Sequence, residues 1–168
     1  MALADVEIVQ AGTECVAELE PLYHELHDHH VAVAPRLAGL APRTAQESWE
    51  RRLERYADWL ARPHAFVLVA QQHGRPVGYA VASTTGGYQS WASEERVGEV
   101  HDLVVAGGKR GTGIGTALME AVERRLRTLG IREYRVMLIE ANDAAHRFYV
   151  KRGMTQVSRV MLGRIDAR

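Results

Sequence analysis

The sequence is poor in cysteine and lysine: Cys15 is the only thiol, and Lys109 and Lys151 are the only lysines. One thiol excludes an internal disulfide and a cysteine-based metal cage, and it makes a reducing, cytoplasmic setting the default expectation. Neither charge sign is in excess, because 21 Lys and Arg balance 21 Asp and Glu. That balance argues against a nucleic-acid partner, since phosphate binding normally leaves a basic surplus. No apolar run approaches the roughly 18 residues needed to cross a bilayer. The opening "MALADVEIVQ" also lacks the charged-then-apolar pattern of a secretion signal, so no membrane partner is expected. The preference for arginine over lysine, with abundant alanine, fits a bacterial gene of high GC content.

The 168 residues, 46% hydrophobic and 25% charged, have the composition of an ordinary globule and the length of one domain, 1–168. "VEIV" reads as a first strand. A helical segment follows from about Thr13 to His30, with Pro21 starting or kinking a turn within it. Thr44 and Glu47 form a capping-box pattern that opens a second helix, Ala45 to Ala61, closed by Pro63. "AFVLVAQQ" and "PVGYAVAST", joined by "HGR", read as a hairpin. "VGEVHDLVV" is a further strand, with Glu99, His101, Leu103 and Val105 on one face and Val100, Asp102 and Val104 on the other. A glycine-rich loop leads into a helix with Leu118, Val122, Leu126 and Leu129 on one side, and Gly130 stops it. "EYRVMLIE" is a strand, "NDAAHRFYVKRG" a short helix, and "MTQVSRVMLGRI" a final strand or pair. The order β-α-α-β-β-β-α-β-α-β predicts an α/β fold, a mixed sheet with helices on both faces.

The loop "KRGTGIGTAL" sets Gly111, Gly113 and Gly115 at alternate positions, although glycine in a regular element costs about 1 kcal/mol against alanine. Bare backbone before a helix suits an anion: successive N–H groups point at a phosphate and the helix dipole favours its charge. Lys109 and Arg110 add cationic steering. A Walker A loop would need a lysine where Ile114 stands. A Rossmann fingerprint begun at Gly111 puts Thr116 where its third glycine belongs, with too little chain left for further βαβ units. A glycine-rich turn that only caps the helix is the remaining alternative.

Arg110, Gly113 and Gly115 also spell R-x-x-G-x-G between a strand and a helix. With "NDAAHRFYVKRGM", which matches N-x-x-A-x-x-F-Y-x-x-x-G-F at Asn142, Ala145, Phe148, Tyr149 and Gly153, the chain resembles the GNAT superfamily of N-acetyltransferases. The match is strong from Val97 to Met154 and rests on element order before that. Met154 stands where phenylalanine is usual, and "AGGKR" lacks the family's proline.

The resemblance implies a GNAT-like fold and acetyl-CoA as co-substrate, with no metal. It places the diphosphate on Lys109, Arg110, Gly111, Thr112, Gly113, Ile114, Gly115 and Thr116. The pantetheine arm falls to Asn142 and to a splayed strand with free main chain at Leu103, Val104 and Val105. Tyr149 is the expected acid for the leaving thiolate, its phenol being able to give and recover a proton. The base falls to Glu99 or His101; His101 has the better intrinsic pKa, and Asp102, on the opposite face, is expected to be structural.

The implied reaction is direct attack by a small-molecule primary amine in a ternary complex. A non-catalytic CoA-binding sensor and a protein-amine acetyltransferase remain alternatives, and a homodimer is a possible assembly. His24, His27, His29 and His30 crowd one segment; His27 and His30, at i and i+3, have no evident third ligand for a metal. Tyr88, Trp91, Glu94 and Glu95 share a loop able to line an acceptor pocket.

Overall fold

A computed structural model describes residues 5–165. The chain folds as β1 (Val6–Ala11), a 3₁₀ segment (Thr13–Leu19), α1 (Glu20–Val33), α2 (Ala45–Leu60), β2 (Phe66–Gln72), β3 (Arg75–Gly86), β4 (Arg96–Val105), α3 (Ile114–Thr128), β5 (Tyr134–Val136) and α4 (Asp143–Lys151). The five strands form one sheet in sequence order. β1 to β4 pair antiparallel, and β5 lies parallel to β4 through the α3 crossover.

Local signals explain most of these boundaries. Pro21 sits in the first turn of α1, where its missing N–H costs nothing. The capping box is complete: the Thr44 side chain accepts from the Glu47 N–H, and the Glu47 carboxylate accepts from the Thr44 N–H at 2.9 Å. "HGR" turns the β2–β3 hairpin with His73 and Gly74 both at positive φ.

The sheet is buried on both faces. On one, Phe66, Leu68, Ala80 and Val100 pack with Leu118, Val122 and Leu126 of α3 and Tyr149 of α4. On the other, Val67, Val69, Tyr79, Val81 and Val104 pack with Leu19, Leu22, Trp49 and Tyr56 from the first helices. Strands covered on both sides need no polar alternation, which is why β2 reads as a continuous apolar run.

Two expectations fail. The strand expected over "EYRVMLIE" is only Tyr134–Val136, because β4 and β5 pair over Gly98–Val100 and then separate, leaving the following residues without a ladder. The final strand expected in "MTQVSRVMLGRI" does not form: residues 154–165 carry no strand, and Val157, Val160, Met161 and Ile165 are exposed. The segment pairs with no strand among the described residues, and without a partner its apolar, β-branched pattern is not converted into a strand.

Thr44→Ala removes half of the capping box and is expected to destabilise the fold by about 1 kcal/mol, read as a lower urea midpoint at unchanged slope.

Candidate active site

The site is organised by the fourth strand. Val81 pairs with Asp102 but its neighbour Ala82 pairs with Val100, so His101 is an extra residue, a β-bulge. The bulge corrects the strict alternation expected for this strand. Val100 faces α3 while Leu103 and Val105 also pack on that side. Glu99, His101, Asp102 and Val104 all turn toward the α1–α2 layer, so Asp102 lies on the face of His101 rather than opposite it.

Beyond Val100 the β5-facing edge of β4 has no strand partner, which leaves main chain at Leu103, Val104 and Val105 without a ladder on that side. A short 3₁₀ turn, Gly107–Lys109, follows. Its first N–H donates to the Glu25 carboxylate of α1. Arg110 Nε donates to the Val105 carbonyl at 3.3 Å, and Thr112 Oγ1 donates to the Lys109 carbonyl at 2.6 Å. The loop is therefore tied to both its strand and its own turn.

Gly113 caps α3 in the left-handed region, φ 93°, with no side-chain cap. The first N–H groups of α3 thus lack intrahelical acceptors. A Cβ on Gly115 would meet only ordinary contacts, Val105 at 3.6 Å and Phe148 at 3.9 Å. The packing of this protein does not itself demand glycine there.

Tyr149 of α4 is buried, its ring edge-on to Phe148 at 5.1 Å. Burial pushes its phenol far above the usual value, with Tyr134 and Asp102 adding to the shift, so it stays protonated at any working pH. Asn142 caps α4: its Oδ1 accepts from the Ala145 N–H at 3.1 Å. That bond leaves its side-chain amide N–H₂ unused. An open groove of about 580 Å³ runs between the end of α1 and the segment leading from β5 to Asn142, lined by Pro35, Arg36, Leu37, Ile139 and Glu140 among others.

His101 stacks flat on Trp59, centroids 3.8 Å apart and planes 4° apart. Its Nε2 is 2.7 Å from Ser83 Oγ. Burial, followed by repulsion from Arg62, Arg52 and Arg135, lowers its pKa to about 4, so the imidazole is neutral at physiological pH. Glu99 lies between two cations, 3.5 Å from Arg135 Nε and 4.0 Å from Arg62 Nη1.

Asp102 is buried and holds the deepest polar cluster. It accepts from Tyr56 O–H at 2.6 Å, faces Arg52 Nη1 at 3.5 Å, and Tyr56 in turn contacts the Tyr79 hydroxyl at 3.0 Å. Burial raises its pKa against the opposing pull of Arg52 and Tyr56. Arg52 also lies over the rings of Tyr23 and Trp59, at 5.2 and 5.3 Å. The sequence reading missed this cluster. The signal was present in Trp49, Arg52, Tyr56 and Trp59, spaced to share one face of α2.

Other candidates lie elsewhere. Glu94 and Glu95 border a hollow with Leu129, Gly130 and Ile131 at the end of α3, and Trp91 is 75% exposed. His30 is shifted down to about 4 by burial and by repulsion from His29, Arg52, His27 and Arg110. Among the described residues no group of three or more His, Cys, Asp or Glu could hold a metal ion.

A mixed sheet that parts between β4 and β5, with a glycine-capped helix at the parting, fits the fold that the sequence motifs imply. Residues 23–154 match the Acetyltransferase (GNAT) family, and the chain belongs to that family. It is 32% identical over 111 residues to an uncharacterized N-acetyltransferase of Archaeoglobus fulgidus, a match covering 62% of this chain and 71% of that protein. A Mycobacterium tuberculosis protein described in the same words is 31% identical over 99 residues, 59% of this chain and 58% of its own length. The fold also superposes on the aminoglycoside N-acetyltransferase AAC(6')-Iy in complex with CoA, with a TM-score of 0.69 at 18% identity, covering 96% and 95% of the two chains. A variant of the BH1408 protein from Bacillus halodurans gives a TM-score of 0.76 at 19% identity, covering 95% and 99%.

Because His101 and His30 are depressed from 6.5 to about 4, the unfolded chain binds more protons than the folded one between those values. Their contribution is complete above pH 6.5 and is lost as pH falls toward 4. The urea midpoint should drop over that window, and His101→Gln should shrink the drop.

Proposed function

We propose that this protein transfers an acetyl group from acetyl-CoA to the amine of a small molecule, by direct attack. The observation that carries the reading is the N-terminus of α3: uncapped N–H groups behind left-handed Gly113, next to two cations and to the unpaired edge of β4. The donor set fits a diphosphate with a peptide-like arm. Lys109, Arg110 and the amides from Gly111 to Thr116 would hold the diphosphate. The main-chain groups of β4 that face the parting, from Leu103 to the Val105 N–H, and the Asn142 amide would hold the arm.

Acetyl-CoA supplies the thioester. Main-chain N–H groups at the parting of β4 and β5 stabilise the negative charge that develops on the carbonyl oxygen. Glu99 accepts the proton that the acceptor's ammonium must lose before its amine attacks, directly or through water. His101 is assigned a positioning role, because its ring face is taken by Trp59 and its Nε2 by Ser83. As the carbon–sulfur bond breaks and the carbon–nitrogen bond forms, Tyr149 donates to the thiolate. A phenol this reluctant to ionise acts chiefly by hydrogen bonding.

A homodimer in a reducing cytoplasm is the setting proposed for it. The exposed apolar residues Val157, Val160, Met161 and Ile165 support self-association. Sedimentation of wild type against Val160→Asp reads it directly, a loss of the heavier species being expected.

Two variants test the transfer reading, with CoA thiol release and calorimetric acetyl-CoA binding as readouts. Gly115→Ala meets only ordinary contacts in the fold, so it should retain wild-type stability while acetyl-CoA affinity falls about tenfold or more. Tyr149→Phe should keep acetyl-CoA affinity and lose on the order of 100-fold in turnover. Unchanged affinity in the first variant would remove the loop assignment; a wild-type rate in the second would remove Tyr149. Tight acetyl-CoA binding without turnover of any amine would identify a sensor.

A further inference from the structure

The charges around Glu99 say what kind of amine the site takes. Glu99 and Arg135 are direct register partners on parallel strands, and both side chains lie on the same face of the sheet. Arg62, just past the end of α2, reaches the same carboxylate from above. The Arg62 and Arg135 side chains are 41% and 37% exposed, whereas that of Glu99 is 20% exposed. One carboxylate therefore stands inside, with two guanidiniums at its solvent edge.

Among the described residues, Arg62 and Arg135 form ion pairs with no carboxylate other than Glu99. Asp102, the other carboxylate on this face of β4, is already satisfied by Arg52 and Tyr56. Glu94 and Glu95 lie with the end of α3. His101 is uncharged at neutral pH, and the cations that depress it are Arg62, Arg52 and Arg135. This cluster of three thus carries one net positive charge, with the negative charge set deeper. A polyamine or other polycation would have to pass two guanidiniums to reach Glu99 and would leave both of them facing like charge.

Resting on the transfer reading above, we propose that the acetyl acceptor is an amino carboxylate: its ammonium meets Glu99, and its carboxylate takes over Arg62 and Arg135. Guanidinium groups are planar forks that match a carboxylate in two-point contact, which fixes the orientation of the amine beside them. The exchange also leaves Glu99 free of its arginine partners at the moment when it must accept a proton. Free amino acids meet this description. An α-amide or a decarboxylated amine of the same side chain does not, because it would desolvate two guanidiniums without pairing them.

The test is a panel of the standard amino acids, each matched with its α-amide and its decarboxylated amine, scored by CoA thiol release from the full chain. The best acid should exceed its amide by at least about tenfold in kcat/KM. Arg62→Gln and Arg135→Gln should each raise KM for the acid about tenfold with kcat little changed, and should narrow the gap to the amide. Arg62→Lys should restore part of the affinity, and urea midpoints should confirm that all variants fold. Amides or amines used as well as the acids, or KM values untouched by both variants, would overturn the amino-carboxylate assignment while leaving acetyl transfer intact. Absence of acetyl-CoA binding to wild type would instead overturn the transfer reading itself. Turnover of amides or amines but of no acid would overturn the acceptor assignment alone, whereas acetyl-CoA binding without turnover of any panel member would identify a sensor.

Discussion

The site depends on how β4 is held. On one side it pairs with β3 along nearly its whole length; on the other it pairs with β5 for three residues and then stands free. Backbone groups without ladder partners must be solvated or bound by something else, so the parting of the two strands is where this sheet can accept a ligand. The extra residue at His101 falls at the same level. It turns Glu99, His101 and Asp102 toward one helical layer, whereas regular pleating would have divided them between two. The bulge and the parting together gather the polar groups of the strand next to its only free edge among the described residues.

That concentration of polar groups under α2 has a cost, which the Arg52–Asp102–Tyr56–Tyr79 cluster offsets. A buried carboxylate is unfavourable unless it is paired and hydrogen-bonded, and Asp102 has both kinds of partner. Arg52, lying over aromatic rings, loses its water to faces that attract a cation. The arrangement pins α2 to β4 and so sets where Trp59 and Arg62 stand. Trp59 fixes the plane of His101, and Arg62 reaches Glu99. A structural pair one layer down therefore fixes the geometry of the charged cluster above it.

The two faces of the sheet divide the work. The α3–α4 side carries the glycine loop, Asn142 and Tyr149, the groups suited to a phosphate-bearing donor. The α1–α2 side carries Glu99, His101 and the arginines, suited to an acceptor that brings its own charge. The match to the GNAT family, over residues 23–154, spans both sides. The second is built from Arg62, Trp59 and Arg135 around Glu99 and His101, and the low identity to the aminoglycoside enzyme of the same fold gives no reason for the two to share acceptors.

The sequence by itself determined whatever depends on neighbours along the chain. The capping box, the α3 apolar face, the hairpin turn and the glycine loop are set by local hydrogen bonds and backbone freedom, and all could be read in advance. Only the tertiary structure decided that β5 ends at Val136, that residues 154–165 form no strand, and that Asp102 shares a face with His101. Strand length and face depend on the partner strand, and a bulge is a mismatch between two strands that neither encodes alone. The meeting of Arg52 with Asp102, and of Arg62 and Arg135 with Glu99, likewise brings together residues far apart in the chain. No spacing rule could have paired them.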